Sequence, residues 1–361
     1  MKKIISLLTA FIMIFSIVGC SSNNNTTNEN NTTNTTESTD NSTVSITDMA
    51  GRTVEIPKEI NKIYSTDPVG SITVYTINPD LILGWNYKFN DYEKEYILPE
   101  YQNLTVYGMG DSVNLEAIIN DAPEICLQMG GTSTSDIEKA DKLSSQLGIP
   151  VVIVSNALED TPSTYRFMGD ILGEKDTCEK LASYCENVIN NAKNMTVENP
   201  PSVYYGNGEN SLETAPEGSV SAEVFKIIGA NNVAKVEIES GSRVQISAEQ
   251  LISWNPEYIF VNGEPKKDIT GSQAVSDIIE NPVYANIQAV KNNNVYNIPK
   301  SPFAWVDRPM GPNRIIGIEW VKSILYPENS NTLTNDTIKE FYNLFYHIDL
   351  TNEQIENLMN V

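Results

Sequence analysis

Leu115-Glu116-Ala117-Ile118-Ile119 runs through Ala122-Pro123-Glu124 into the apolar Ile125-Cys126-Leu127. Ala248-Glu249-Gln250-Leu251-Ile252 runs through Asn255-Pro256-Glu257 into Tyr258-Ile259-Phe260-Val261. Glu116 and Glu249 lie 133 residues apart, and Pro123 and Pro256 keep the same offset. Each stretch reads as a short amphipathic helix, a proline turn and a buried strand. Helix, turn and strand agree together, so the pair points to a duplicated α/β unit and hence to two similar lobes.

Outward from this pair the pattern holds. Ile63-Tyr64-Ser65, Leu81-Ile82-Leu83 and Val151-Val152-Ile153-Val154 read as further strands of the first half, Val203-Tyr204-Tyr205 and Val295-Tyr296-Asn297 as strands of the second. Helical spacing separates them, as in α/β folds. A long helix is expected over about Glu174 to Met195, with Leu181, Tyr184, Cys185, Val188 and Ile189 on one face and Asn199-Pro200-Pro201 beyond its end. The body therefore divides into a first lobe at 44–173, a linking helix at 174–198 and a second lobe at 199–361. Ligand sites favour clefts between such lobes.

The N-terminal segment sets location. Lys2 and Lys3 precede an apolar run from Ile4 to Val18, and Gly19 stands directly before Cys20. This reads as a lipoprotein signal peptide over 1–20, whose cysteine is expected to become the lipid-bearing N-terminus, with an ordinary secretory signal as the alternative. Two acyl chains from a diacylglycerol give stable anchoring, so the protein is expected outside the cytoplasm, attached to the cell membrane through Cys20. Residues 21–43 are almost all Asn, Thr and Ser and have too little apolar surface to order. A flexible tether of that length spans about 25 Å.

Charge and ligand chemistry exclude several classes. The net charge of −23 repels nucleic acid and anionic lipid, so neither is expected as a partner and membrane contact is through the lipid alone. Cys178 and Cys185 stand seven apart in a helix, about 10 Å along its axis, too far for a disulfide. With Cys126 they read as small buried hydrophobes. His347 is the only histidine, so imidazole–thiolate metal sites and Ser-His-Asp or Cys-His catalysis have no ligands to use. No catalytic residue, resident metal or cofactor is expected.

A series of motifs gives the body a family likeness. Asp48-Met49-Ala50-Gly51-Arg52-Thr53-Val54-Glu55-Ile56-Pro57 opens it, followed by Asn114-Leu115-Glu116 with Ala122-Pro123-Glu124, then Gly229-Ala230-Asn231-Asn232-Val233-Ala234. Gln288-Ala289-Val290-Lys291-Asn292 with Val295-Tyr296, and Trp305-Val306-Asp307-Arg308-Pro309, complete the series. In this order, from about Ile46 to Pro327, the chain resembles the substrate-binding lipoproteins of ABC importers. The likeness is to the helical-backbone group that captures iron-siderophore complexes, haem, cobalamin or, in some members, molybdate or tungstate. The resemblance implies an α/β fold of two similar Rossmann-like lobes joined by one long helix, which closes only slightly around a cleft between the lobes. It also implies a partner, the dimeric permease with its ATPase, and delivery of a small-molecule ligand without chemical change. Glu116 and Glu249 match the carboxylates that dock into basic pockets of the permease; acids at helix starts also suit the helix dipole without any such role.

In this architecture strand ends and the loops after them face the ligand. The first lobe offers Thr66, then Trp85, Tyr87 and Phe89, then Tyr107 and Met109, then Gly130, Gly131 and Thr132. The second offers Tyr205, Asn207, Thr214 and Ser219, with Trp305 and Arg308 in one loop. Arg308 suits a carboxylate, phosphate, oxyanion or anionic chelate, or a structural pairing with an acid such as Asp307. Trp85 and Trp305 suit stacking or core packing; Tyr107 and Tyr205 suit a ferric centre or, again, packing. Aromatic content favours a ferric or cobalt complex as the ligand. The glycine loop and Ser219 keep a molybdate or tungstate oxyanion open, and a surface sensor or redox protein on the same fold is the remaining alternative.

Overall fold

The computed structural model describes residues 42–238, 241–263, 270–329 and 333–360. The expected signal peptide, Cys20 and all but the last residues of the expected tether lie outside the described residues. The body opens with a hairpin of β1 (Thr43–Thr47) and β2 (Thr53–Pro57). The Asp48 carboxylate organises its turn, accepting from the Ala50 and Arg52 amides and the Arg52 guanidinium. It also accepts from the Ile153 amide, which fastens the hairpin to the first sheet.

That sheet is three parallel strands in the order β3 (Ile63–Ser65), β4 (Ile125–Gly130) and β5 (Val151–Ser155). Each strand is rich in buried β-branched and apolar side chains, as a sheet covered on both faces requires. The helices around it are α1 (Pro68–Ile77), α2 (Asp91–Lys94), α3 (Leu115–Asp121), α4 (Thr134–Leu147) and α5 (Thr161–Leu172). The expected strand at Leu81-Ile82-Leu83 does not form. Asn78 and Pro79 start a tight turn there, and Ile82 makes only a single bridge to Ile63.

Helix α6 (Lys175–Lys193) follows, burying Cys178, Leu181, Cys185, Val188 and Ile189 along one stripe. The second sheet has β6 (Ser202–Asn207), β7 (Glu213–Thr214), β8 (Asn231–Asn232), β9 (Val244–Gln245), β10 (Tyr258–Val261) and β11 (Val295–Asn297). Strands β11, β10 and β6 run parallel side by side; β7 and β9 continue the order antiparallel, and β8 pairs with β6. Helices α7 (Glu223–Ile227), α8 (Ala248–Trp254), α9 (Gly271–Ile279), α10 (Gln288–Lys291) and α11 (Asn313–Leu325) belong to this half. The last two, α12 (Asn335–Tyr346) and α13 (Asn352–Asn360), return to the first lobe. There Tyr75 donates to the Tyr346 carbonyl, Tyr96 to the Gln354 carbonyl, and the His347 ring meets the Tyr75 carbonyl. One hydrophobic cluster consequently runs from Leu127 and Val152 through Leu181 to Phe260, Trp305 and Phe341.

The duplication extends to single bonds. Asn114 caps α3 through the Ala117 amide, and Ser247 caps α8 through the Gln250 amide. Ile118 and Leu251 are the buried residue of each helix. Ala122 and Asn255 end the helices in the left-handed region, at φ 50° and 46°. The Glu124 carboxylate then caps the Asn61 and Lys62 amides ahead of β3, and Glu257 caps the Ser202 amide at β6.

Candidate ligand-binding site

Parallel strands place their carboxyl ends on one edge of each sheet, and ligands gather there. In the first lobe that edge carries Ser65, Thr66, Gly130 and Ser155. Asp67 caps α1 by accepting from the Val69 and Gly70 amides, and Thr66 donates to the same carboxylate at 2.9 Å. Desolvation pushes the Asp67 carboxyl above its usual range, more than these bonds pull it down. Behind it Asn86, buried, donates to the Ser65 carbonyl and accepts from Ser71. Gly130 has φ +155° with open space where a side chain would stand, a backbone position that leaves its peptide uncovered on that side.

In the second lobe a polar knot occupies the ends of β6 and β10. The Tyr205 hydroxyl lies 3.1 Å from Asn207 Oδ1 and 3.2 Å from Asp307 Oδ2, and accepts from Asn262 Nδ2. Arg243 donates through Nε and Nη2 to Asp307 Oδ2, the nearer contact at 2.9 Å, while its Nη1 stands 4.0 Å from Glu213. Asn207 is fully buried and its Nδ2 has no partner, an orphaned donor in the middle of the knot. Burial pushes the Tyr205 phenol far above its ordinary value, with the Asp307 carboxylate adding to the shift.

The lobes meet beside these groups. Val69, Thr73, Met129, Ser155 and Asn156 face Met310, Gly311, Pro312 and Arg314 across a cavity of about 20 Å³, room for roughly one water. Arg314 is buried, and its Nη1 donates to Glu223 at 2.7 Å. Desolvation lowers its pKa while Glu223 opposes the shift.

The sequence candidates separate into two groups. Trp85, Tyr107, Tyr205 and Trp305 are 3%, 2%, 0% and 0% exposed. Trp85 donates to the Tyr101 carbonyl and packs on Tyr75 and Phe89; Tyr107 donates to Asp121. Trp305 donates to the Tyr342 hydroxyl and sits edge-on to Trp320. Their polar tips are satisfied inside the lobes, as buried aromatics require. Ser219 is buried as well, donating to the Ser242 carbonyl and capping the Ser221 amide. Thr66, Gly130 and Arg308 are half-buried, and Met109, Gly131 and Thr132 are exposed. Arg308 holds φ +64°, sparsely populated for a side chain with a Cβ. Glu116 and Glu249 are both exposed on the first turns of α3 and α8. Arg243, Asn262, Arg314 and Glu223 had escaped the sequence reading. Scarcity was the available signal: the chain has five arginines, and Arg243, Arg308 and Arg314 are three of them.

The comparisons with known proteins bear on the fold and the family. Residues 85–302 match the family model described as periplasmic binding protein. The molybdate-binding protein MolA of Haemophilus influenzae is 25% identical over 341 residues, 84% of this chain and 92% of its own. The Fe(3+)-citrate-binding protein YfmC of Bacillus subtilis is 24% identical, covering 67% of this chain and 68% of its own. Among solved structures, an ABC transporter solute binding protein from Sulfurospirillum deleyianum superposes with a TM-score of 0.78 at 26% identity, over 88% of this chain and 99% of that one. With the two-lobed fold and the matched residues in agreement, the chain belongs to the periplasmic binding protein family, as an extracytoplasmic solute-binding component of an ABC importer that binds its cargo without transforming it.

Proposed function

We propose that this protein captures a small oxyanion of the molybdate or tungstate class and hands it to a permease while moored to the membrane through a lipid on Cys20. The observation that carries the reading is the withdrawal of Trp85, Tyr107, Tyr205 and Trp305 into the lobe cores. A flat haem or corrinoid needs aromatic faces to stack on, and a ferric centre needs a phenolate. The Tyr107 hydroxyl is taken up by Asp121 and the Tyr205 hydroxyl by Asn207, Asn262 and Asp307. The groups that keep some exposure near the strand ends are different: Thr66, Thr132, Asn156, the Gly130 peptide, and the guanidinium groups of Arg243 and Arg308. These donors are short, fixed and matched to anion oxygens. Likeness to MolA over most of both chains supports the same class.

Glu116 and Glu249 are the docking carboxylates in this reading, one on each copy of the repeated unit. Two equivalent acids on a pseudo-symmetric body suit a two-fold permease, and the acidic surface assists encounter with basic pockets. Calorimetric titration of the Cys20→Ser chain with molybdate, tungstate, sulfate, ferric citrate and haemin is the test. Molybdate and tungstate binding at micromolar Kd or tighter, with haemin inert, is expected. Tight haemin or ferric-siderophore binding with molybdate inert overturns the reading.

A further inference from the structure

The seam between the lobes is fastened by a buried ion pair of the second lobe that reaches across to the first. Arg314 begins α11 of the second lobe and Glu223 begins α7 of the same lobe, and their contact is 2.7 Å. Both also bond the first lobe. Arg314 Nη2 donates to the Asn156 carbonyl, and Glu223 Oε2 accepts from the Leu158 amide at 3.0 Å. The segment 156–158 leaves the carboxyl end of β5, the edge where ligand is expected. Arg314 is 3% exposed and Glu223 15%. Just outside, Glu159 of the first lobe pairs with Lys226 of α7 and Lys193 of α6, extending the fastening to the surface.

We propose that Arg314 and Glu223 are a positioning pair that sets the width of the ligand cleft and thereby its preference for a small anion. Helix α6 and the return of α12 and α13 already connect the lobes, and this clasp is a further hold, placed at the seam by the end of β5. Each added hold resists rotation about the others. Opening wide enough for a bulky chelate strips the Arg314 and Glu223 bonds to 156–158 and leaves charged groups short of partners in a dry seam, which is costly. A small oxyanion needs a much smaller opening than a chelate does. Neither residue touches the ligand in this account; they act through the separation of Gly130 and Thr66 from Arg243 and Arg308. The inference rests on the oxyanion reading for the identity of the ligand, but not for the geometry of the clasp.

The test uses Glu223→Leu with Arg314→Met, since replacing a buried pair by apolar groups of similar size usually preserves stability. Glu223→Gln is the milder second variant, which keeps an acceptor for the Leu158 amide. All are made in the Cys20→Ser chain. Spin labels at Ser145→Cys on α4 and Ser272→Cys on α9, both exposed positions, report the lobe-to-lobe distance. In the double variant the ligand-free distance distribution is expected to broaden and lengthen. Molybdate affinity should fall at least tenfold, chiefly through faster dissociation, and the ratio of molybdate to ferric-citrate affinity should shrink. Glu223→Gln should show the same changes at smaller size. An unchanged distance distribution overturns the proposal, whether or not affinity changes. A parent protein indifferent to molybdate removes the oxyanion reading instead, while the distance measurement still decides the clasp.

Discussion

Trp305→Phe separates a ligand wall from a core plug. The indole is fully buried, its N–H lies 3.2 Å from the Tyr342 hydroxyl, and its ring meets Trp320 edge-on. Replacement by phenylalanine removes one hydrogen bond, about 1 kcal/mol net. Tyr342 keeps its other bond, to the Ser301 carbonyl, so no donor is orphaned. The smaller ring also gives up two buried carbons at about 0.8 kcal/mol each, bringing the loss to about 3 kcal/mol. In a body of this size each kcal/mol lowers Tm by about 2 °C, so a fall of about 6 °C is expected. Calorimetric melting of the two proteins, with and without molybdate, provides the assay. Molybdate affinity should stay within twofold, since no atom of the indole reaches the cleft. An unchanged Tm together with a tenfold loss of affinity refutes the reasoning and returns Trp305 to the ligand.

Two further outcomes follow from other parts of the molecule. Asp67→Asn keeps a capping oxygen for α1 but removes a carboxyl whose pKa is raised by desolvation. The native state binds that proton more tightly than the unfolded chain, so this group's contribution is present at low pH and is lost as pH rises through its elevated folded value. Urea denaturation across pH 4 to 7 should show that downward component in the parent and its absence in Asp67→Asn, with the variant equal or more stable at pH 7; a steeper downward slope in the variant contradicts the assignment. Glu116→Ala with Glu249→Ala should abolish uptake in cells while leaving ligand affinity within twofold, because exposed acids on α3 and α8 lie outside the strand-end site. Retained uptake with intact binding removes the docking assignment.

What the sequence determined by itself is the local order. Helix, left-handed cap, proline and strand recur at a constant offset, because caps, turns and buried strands are each written in a few adjacent residues. The three cysteines were legible as buried thiols for the same reason, and the structure finds Cys126, Cys178 and Cys185 free and buried. Leu81-Ile82-Leu83 marks the limit of such reading, since an apolar run is compatible with either a strand or a covered turn and only neighbouring backbone chooses. Tertiary structure alone decided which aromatics are core. Trp85 and Trp305 stand at loop positions that a ligand wall also uses, and only the packing of Phe89, Tyr342 and Trp320 around them consumes their surface. It also brought Arg243 to Asp307 across 64 residues and Arg314 to the Asn156 carbonyl across 158. Side chains so far apart in the chain carry no mutual pattern in one sequence. Their partnership exists only once the sheets and helices of both lobes have set the distances.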